Sequence, residues 1–402
     1  MNKKVLFVIP YMYEGGAERA LSNIETHFPD DWEIDTLLNS EYKKKYPNKG
    51  NLYTLGIEKK PNTRSVFFQF YVFVKRTIEL KRLKRKNHYD ACISFLDSAN
   101  VANIISGNKY CKTIISVRAN LNGEKRVPQY RFIVNPLAKL LYNKADKIVA
   151  VSEELKNGLV EGFGLLDSKV HVISNGHNVD SINKLKEESL EENIAKAIKG
   201  KKVVCNVGRL SFPKGQWHLV RAFKVVKENV PNAILLIVGE GEYEKYLEEI
   251  IKDLGLTESV LLLGHKDNVY KYINNADVFA FTSLLEGFPN ALAEAICVGV
   301  PCVVTDFKTG SREIIAPELL NNNEPINKKT ECEYGVLVPE CSGTKYKGKD
   351  DLERQEQILA EAIIEMIIND LMANQFKEKC LERRKTLDIN DSVRKWIEVI
   401  EK

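Results

Sequence analysis

The 402-residue chain reads as an α/β protein of two parallel-sheet domains, and two observations carry that expectation. Short β-branched runs alternate with helical patterns along the whole sequence, which predicts parallel sheets with helices on both faces. The alternation then restarts after a charged, helical-looking bridge near 180–200, which predicts a second unit of the same kind. Length agrees, because domain sizes favour two units of about 150 to 200 residues. The expected division is 1–178, a linker at 179–200, 201–384 with an insertion at about 316–351, and a last helical segment, 385–402.

In the first unit KVLFVIP (4–10) is a buried strand, followed by a glycine-containing loop and the helix AERALSNIETHF. ACISFL (91–96), KTIISVR (112–118), KIVAVS (147–152) and KVHVIS (169–174) are further strands with helices between them. The second unit offers KKVVCNVGRL, AILLIVGEG, SVLLLGH, VFAFTS and PCVVTD. Residues 316–351 are polar and turn-rich around a single apolar run, YGVLVP, and predict a loop with one short strand. The final SVRKWIEVIEK puts Val393, Trp396, Ile397 and Ile400 on one helical face.

Composition is that of an ordinary globular protein, with 44% hydrophobic and 28% charged residues. No apolar run reaches the roughly 18 residues a spanning helix needs. The opening MNKKVLFVIP passes directly into fold-like sequence without a cleavage site, so a cytoplasmic location is expected. Eight cysteines (Cys92, Cys111, Cys205, Cys297, Cys302, Cys332, Cys341, Cys380) form no C-x-x-C pair and have no nearby histidine ligand pattern. They read as buried small hydrophobes, and no metal site is expected.

Charge is uneven beneath the net value of +4: residues 1–150 hold 26 Lys+Arg against 14 Asp+Glu, the remainder 33 against 41. Much of the excess lies in FVKRTIELKRLKRKNHYD (73–90), where Lys75, Arg76, Lys81, Arg82, Lys84, Arg85 and Lys86 interleave with apolar residues at helical spacing. Such a helix suits an anionic membrane surface, with each nearby cation contributing about 1 kcal/mol, or it is a solvated face. A second basic and aromatic segment, KRVPQYRFIVNPLAKLLYNK (125–144), belongs to the same half. Nucleic acid is not expected as a partner, since no binding motif accompanies the charge.

The most informative stretch is SLLEGFPNALAEAICVGVPCVVTD (283–306), which sets Glu286 and Glu294 eight positions apart across a helix start. Pro289 suits the first turn and Gly299 the end. The free N–H groups of Asn290, Ala291 and Leu292 would then point at an anionic oxygen, while the carboxylates attract hydroxyls or developing positive charge. A nucleotide sugar asks for both at once. Two further motifs follow strands. YMYEGGAERAL (11–21) sets Gly15 and Gly16 before a helix expected to begin near Ala17, where a backbone could approach phosphate or sugar closely, although a plain turn reads the same way. NVGRLSFPKGQWHLVRAF (206–223) sets Arg209 and Lys214 five positions apart across a tight loop, a pair that suits a diphosphate.

GGAER, GRLSFPKG, VGEGE, LGHKDNV and EGFPNALAEA together closely resemble the retaining family-four glycosyltransferases of the GT-B fold, over nearly the whole chain. The resemblance is especially close to enzymes that extend polyprenyl-diphosphate-linked glycans and capsular or O-antigen polysaccharides, some of which share GGAERAL and SFLDSAN. It implies two Rossmann-like domains facing a central cleft, with the C-terminal helix crossing back to the first domain. It also implies that Arg209 and Lys214 hold the donor diphosphate as leaving group, that Glu294 accepts hydrogen bonds from ribose hydroxyls and that Glu286 faces the donor sugar. Backbone groups of Gly287, Phe288, Pro289, Asn290, Ala291 and Leu292 would contact sugar and phosphate, with Gly16 closing the site from the other domain and Gly15 beside it a further donor-binding candidate. GHKDNV (264–269) resembles a base-binding loop acting through the main chain of His265 and the side chain of Val269.

The implied reaction transfers a hexose or N-acetylhexosamine from a nucleotide sugar, most simply a UDP sugar, to a lipid-linked glycan with retention of configuration. The implied location is peripheral, on the inner face of the cytoplasmic membrane. The chain has no Asp-x-Asp triplet, which argues against obligatory Mg²⁺ bridging and leaves Arg209, Lys214 and the helix terminus to meet the negative charge; no cofactor is expected. Whether Glu286 is a transient nucleophile or orients the ring stays open. One departure matters: many relatives have a histidine after the strand that here reads IISVRAN, where this chain has Arg118. Arginine is no neutral base at pH 7, so Arg118 is a candidate for an acceptor phosphate or a donor-sugar substituent. Asp97 and Asn100, in FLDSAN, are acceptor-side candidates at another strand end. Two other classes share the fold, a nucleotide-sugar 2-epimerase and a glycan-binding or assembly protein without turnover.

Overall fold

The computed structural model describes residues 3–13, 15–57, 66–118, 135–307, 310–322 and 324–402. In chain order the first elements are β1 (Lys4–Val8), α1 (Gly16–His27), β2 (Glu33–Leu38), β3 (Asn51–Thr54), α2 (Val66–Asn87), β4 (Ala91–Phe95), α3 (Asp97–Ile105) and β5 (Lys112–Val117). After α4 (Asn135–Leu141) come β6 (Lys147–Ala150), α5 (Glu153–Phe163) and β7 (Val170–Val172). The second series runs α6 (Val179–Leu185), α7 (Glu192–Ile198), β8 (Lys202–Val207), α8 (Gln216–Asn229), β9 (Ala233–Val238), α9 (Glu244–Asp253), β10 (Val260–Leu262), α10 (Tyr270–Asn274) and β11 (Val278–Phe281). It continues with α11 (Asn290–Val298), β12 (Cys302–Thr305), α12 (Ser311–Ile315), β13 (Thr330–Glu331), β14 (Val336–Val338), α13 (Arg354–Ile368), α14 (Asp370–Arg383) and α15 (Ile389–Glu401).

Among the described residues these strands form two seven-stranded sheets, ordered β3-β2-β1-β4-β5-β6-β7 and β10-β9-β8-β11-β12-β14-β13. Every pairing is parallel except β13 against β14. In each sheet the order reverses beside its first strand, between β1 and β4 and between β8 and β11. Ligands of open α/β sheets bind outside the carboxyl ends of strands at such a switch point. The loops that follow β1, β4, β8 and β11 are therefore the places to look for chemistry.

The chain divides into a first unit of Met1–Gly176 with Ile389–Lys402 and a second of His177–Asp388. In the first, α15 lays Val393, Trp396 and Ile400 into a core with Phe7, Ile93 and Phe95, and Trp396 stacks on Phe95 at 5.8 Å. Gly176 lies so close to Ile389 that a Cβ there would come within 2.6 Å of its Cα. In the second, Trp217, Phe223, Leu235 and Ile363 centre the core, and its two end residues, His177 and Asp388, pair as an isolated parallel bridge.

Three expectations change. Residues 179–200 are helical, as their pattern predicts, in α6 and α7, but they belong to the second unit rather than standing apart as a linker. The stretch 316–351 supplies the last two strands of the second sheet, and its far end is latched to α8. Buried Arg221 donates from Nη1 to Lys347 O (2.6 Å) and from Nη2 to Asp351 O (2.6 Å), while Trp217 Nε1 donates to Thr344 O (2.8 Å). Glu356, also buried, accepts from Arg221 Nε at 2.9 Å and lies 2.8 Å from His218 Nδ1. In α2, finally, two of the seven basic residues face inward. Arg76 donates through all three nitrogens to Asn39 Oδ1 and Ser98 Oγ, and burial pushes its pKa down to about 10. Lys84 Nζ donates to Asn103 O, Gly107 O and Thr113 Oγ1 at 2.9 to 3.2 Å. Of the segment 125–144, residues 125–134 lie outside the described residues.

Candidate active site

The second unit builds its candidate site where β8 and β11 end. After β8 the chain runs through Gly208 and Arg209 into one 3-10 turn, Phe212–Lys214, and then Gly215 at φ 60°. A Cβ on Gly215 would stand 2.3 Å from Thr282 O, so glycine is what allows this loop to cross the end of β11. The two loops are then stitched together: Leu284 N donates to Pro213 O (2.7 Å) and Thr282 Oγ1 to Lys214 O (3.3 Å).

That stitching brings Lys214 and Glu286 into direct contact. Lys214 Nζ pairs with Glu286 Oε1, Ser283 Oγ donates to the same oxygen at 2.8 Å, and the ammonium lies 5.6 Å from the Phe281 ring centre. Both side chains are largely buried. Arg209 is different, with its side chain 74% exposed and Nη2 only 3.3 Å from Glu242 Oε2, itself exposed. Its guanidinium is therefore held weakly, because exposed pairs contribute about 0 to 1 kcal/mol. Gly239, at φ 146°, lets the next strand-end loop press on this one: a Cβ would meet Gly208 O at 2.0 Å.

Beside Glu286, α11 begins at Asn290 with Pro289 as its cap and ends at Gly299, φ 95°. One expectation is corrected here, since Asn290 N–H donates to Phe288 O at 2.9 Å. The amides of Ala291 and Leu292 have no such partner among the described residues. Phe288, Pro289 and Leu292 are buried, which leaves only their backbone groups for any ligand to reach, and Gly287 before them is half-buried. Glu294, 3% exposed, lies one turn into α11 with Oε1 4.0 Å from His177 Nδ1.

His265 is half-exposed and 3.3 Å from Asp267 Oδ1, while Val269 caps α10. The loop between them is fixed by the α6–α7 segment. Asn268 Nδ2 donates to Leu185 O (2.7 Å), and Lys266 pairs with Glu191 Oε1 (3.2 Å). Glu191 is held down at about pKa 2, chiefly by the Tyr272 hydroxyl, 2.6 Å from both its oxygens.

In the first unit Gly15 caps α1 and Gly16 opens it. The Glu18 carboxyl folds back over this terminus, where a Cβ on Gly15 would meet Oε2 at 1.8 Å, and burial raises its pKa. Asp97 opens α3 and accepts from Tyr142 Oη at 3.1 Å, beside Leu96 at φ 75°. Asn100 cannot face an acceptor. It is fully buried, taking a bond from Ser94 Oγ and donating to Ser116 O, both 2.9 Å, so it ties α3 to the sheet. Arg118 remains partly exposed at the end of β5.

Sequence reasoning missed Ser283, His177 and Gln216, whose Nε2 donates to Arg209 O at 3.1 Å. Ser283, three residues before Glu286, was open to local inference; His177, more than a hundred residues from Glu294, was not. Among the described residues one grouping has metal-ligand spacing, His218, Cys341 and Glu353, and it belongs to the latch on α8 rather than to Lys214 and Glu286.

Two mostly parallel α/β sheets, one of which sets a lysine, a carboxylate and a helix terminus around its switch point, have the architecture of the GT-B fold. Residues 14–181 match the Glycosyltransferase Family 4 model and residues 188–323 the Glycosyl transferases group 1 model. An uncharacterized glycosyltransferase of Methanocaldococcus jannaschii, MJ1059, is 32% identical over 92% of this chain and 96% of its own. This chain belongs to that family of glycosyl transferases. It is also 27% identical, over 96% of both chains, to the N-acetylgalactosamine-N,N'-diacetylbacillosaminyl-diphospho-undecaprenol 4-alpha-N-acetylgalactosaminyltransferase of Campylobacter jejuni. Among solved structures, Anabaena Alr3699/HepE in complex with UDP shares the fold, with a TM-score of 0.73 at 18% identity over 99% of each chain.

Proposed function

We propose that the protein transfers a hexose or N-acetylhexosamine, with retention of configuration, from a UDP sugar to a glycan carried on a polyprenyl diphosphate. The observation that carries this reading is the Lys214–Glu286 pair beside the two amides of Ala291 and Leu292. It offers positive charge and N–H groups to a departing diphosphate, and negative charge to the ring on which positive charge grows. The anomeric C–O bond to phosphate breaks, the acceptor oxygen bonds to the same face of that carbon, and its proton passes to the departing phosphate oxygen. Arg209 and Lys214 meet the leaving charge without a metal ion, Glu286 faces the sugar, and Glu294 receives the ribose. The base would lie along His265 and Val269. A UDP complex of a protein with this fold and a diphospho-undecaprenol acceptor in the name of a 27% identical relative support the donor and acceptor classes.

A panel of nucleotide sugars tests the donor. UDP and the true UDP sugar should raise the melting temperature, since a ligand of the native state stabilises it in proportion to RT ln(1 + [L]/Kd). Sugar transferred to a lipid-linked acceptor completes the case; donor epimerised in the absence of acceptor would assign the 2-epimerase activity instead.

The acceptor class brings the membrane with it. No described helix is long and apolar enough to cross a bilayer. The outer face of α2, however, exposes Phe67, Phe70, Tyr71, Val74 and Ile78, followed by exposed Lys81, Arg82, Arg85 and Lys86. Apolar wedge and cations on one helix suit the cytoplasmic, anionic surface of a membrane. Vesicles containing phosphatidylglycerol should sediment the protein at low salt, with binding cut about 10-fold or more by the K81Q/R82Q/R85Q/K86Q variant. Equal binding of that variant would remove the membrane from this account.

A further inference from the structure

Arg118 follows β5 at the carboxyl edge of the first sheet. Its guanidinium carbon lies 5.0 Å from the centre of the Phe95 ring, which is backed by Trp396; Nη2 donates to Asn175 Oδ1, and Nη1 lies 3.4 Å from Ser116 Oγ. Phe95 and Ser116 are fully buried and Asn175 is 5% exposed, so the group rests on a rigid platform. Arginines that are more or equally withdrawn from water have their charge or donors met. Arg221 has Glu356, Arg312 has Asp306 through two bonds, and Arg76 uses every nitrogen. Among the described residues no carboxylate pairs with Arg118, and three of its five N–H groups have no partner.

A guanidinium half withdrawn from water with no anion beside it, and with N–H groups still open, is placed to meet one. A planar fork held against an aromatic face is suited to two oxygens of one anionic group. The neighbouring strand end carries a further sign of constraint, in that Leu96, a non-glycine residue, is held at φ 75°.

We propose that Arg118, set by Phe95 and Asn175, binds an anionic group of the acceptor, either the diphosphate joining glycan to lipid or the carboxylate of an acidic sugar within the glycan. This rests on the transferase reading above. Burial pushes Arg118 down to about pKa 9, which leaves it cationic at neutral pH.

The test is calorimetric. With UDP saturating, so that the nucleotide site is occupied, inorganic pyrophosphate and methyl glucuronide are titrated separately into wild type, R118Q and R118K. Loss of a charge-assisted contact should weaken binding of the true class about 10- to 100-fold in R118Q, with R118K intermediate. Pyrophosphate affected alone assigns the diphosphate; glucuronide affected alone assigns the acidic sugar. If wild type binds neither, or R118Q binds both as wild type does, the proposal is overturned. R118K keeps the charge and loses the fork, so it reads the site should R118Q fold poorly. Failure of UDP itself to bind would count against the donor reading separately, because UDP titration does not involve Arg118.

Discussion

Replacing Glu286 with Gln is expected to lower turnover about 100- to 10,000-fold while leaving the melting temperature within a few degrees of wild type. The substitution keeps the shape of the side chain and an oxygen able to accept from Ser283 Oγ, which lies 2.8 Å from the carboxylate. It removes the charge that faces Lys214 and, in the proposed reaction, the growing charge on the sugar. Measured with saturating donor, the loss should fall on kcat more than on donor KM, since an interaction made mainly in the transition state leaves ground-state binding largely intact. Near-normal turnover of E286Q would sink the assignment.

The second large effect is on stability. Glu356 is fully buried and accepts from Arg221 Nε at 2.9 and 3.2 Å, lies 2.8 Å from His218 Nδ1, and accepts from Glu353 N in the capping box of α13. Glu356→Ala would leave the Arg221 guanidinium buried without its anion. Breaking such a pair from one side costs about 3 to 5 kcal/mol, which urea denaturation would read as a lower midpoint. A loss below about 1 kcal/mol would mean that the carbonyls of Lys347 and Asp351 already satisfy Arg221. The consequence extends to the site, because α8 begins at Gln216, two residues after Lys214.

The strands most legible in the sequence were those that are apolar on both faces, such as KVLFV and AILLIV. β2 was missed for the opposite reason. Its EIDTLL places Asp35 and Thr36 at buried positions, where Asp35 accepts from Tyr89 Oη (2.6 Å) and Thr36 Oγ1 donates to Glu25 (2.8 Å). Those partners are distant in sequence, so the run looked polar. β3, with four residues at the sheet edge and none of them buried, offered no apolar signal. The paired glutamates and the Arg–Lys loop were legible because each lies in one continuous motif after a strand. Their convergence was not, since Lys214 and Glu286 meet through the close approach of Gly215 to Thr282.

Asn100 and Lys84 teach the complementary lesson. Both were placed by local pattern, at a strand end and on a basic helix, and both turn inward because a buried carbonyl or hydroxyl awaits them. The charged bridge near 180–200 misled in the same way. Its acidic side chain Glu191 holds Tyr272 and Lys266 and so fixes the loop proposed to receive the base.

The ends of the second unit close on each other: His177 N donates to Leu387 O at 2.8 Å, and His177 bridges Asp388. The first unit, for its part, brings Gly176 against Ile389. Residues 177–388 thus form one continuous segment whose entry and exit lie side by side, while the first unit is completed only by the last fourteen residues, 389–402. A continuous segment whose two ends pair with each other is a natural candidate for expression alone or for circular permutation within its own loops.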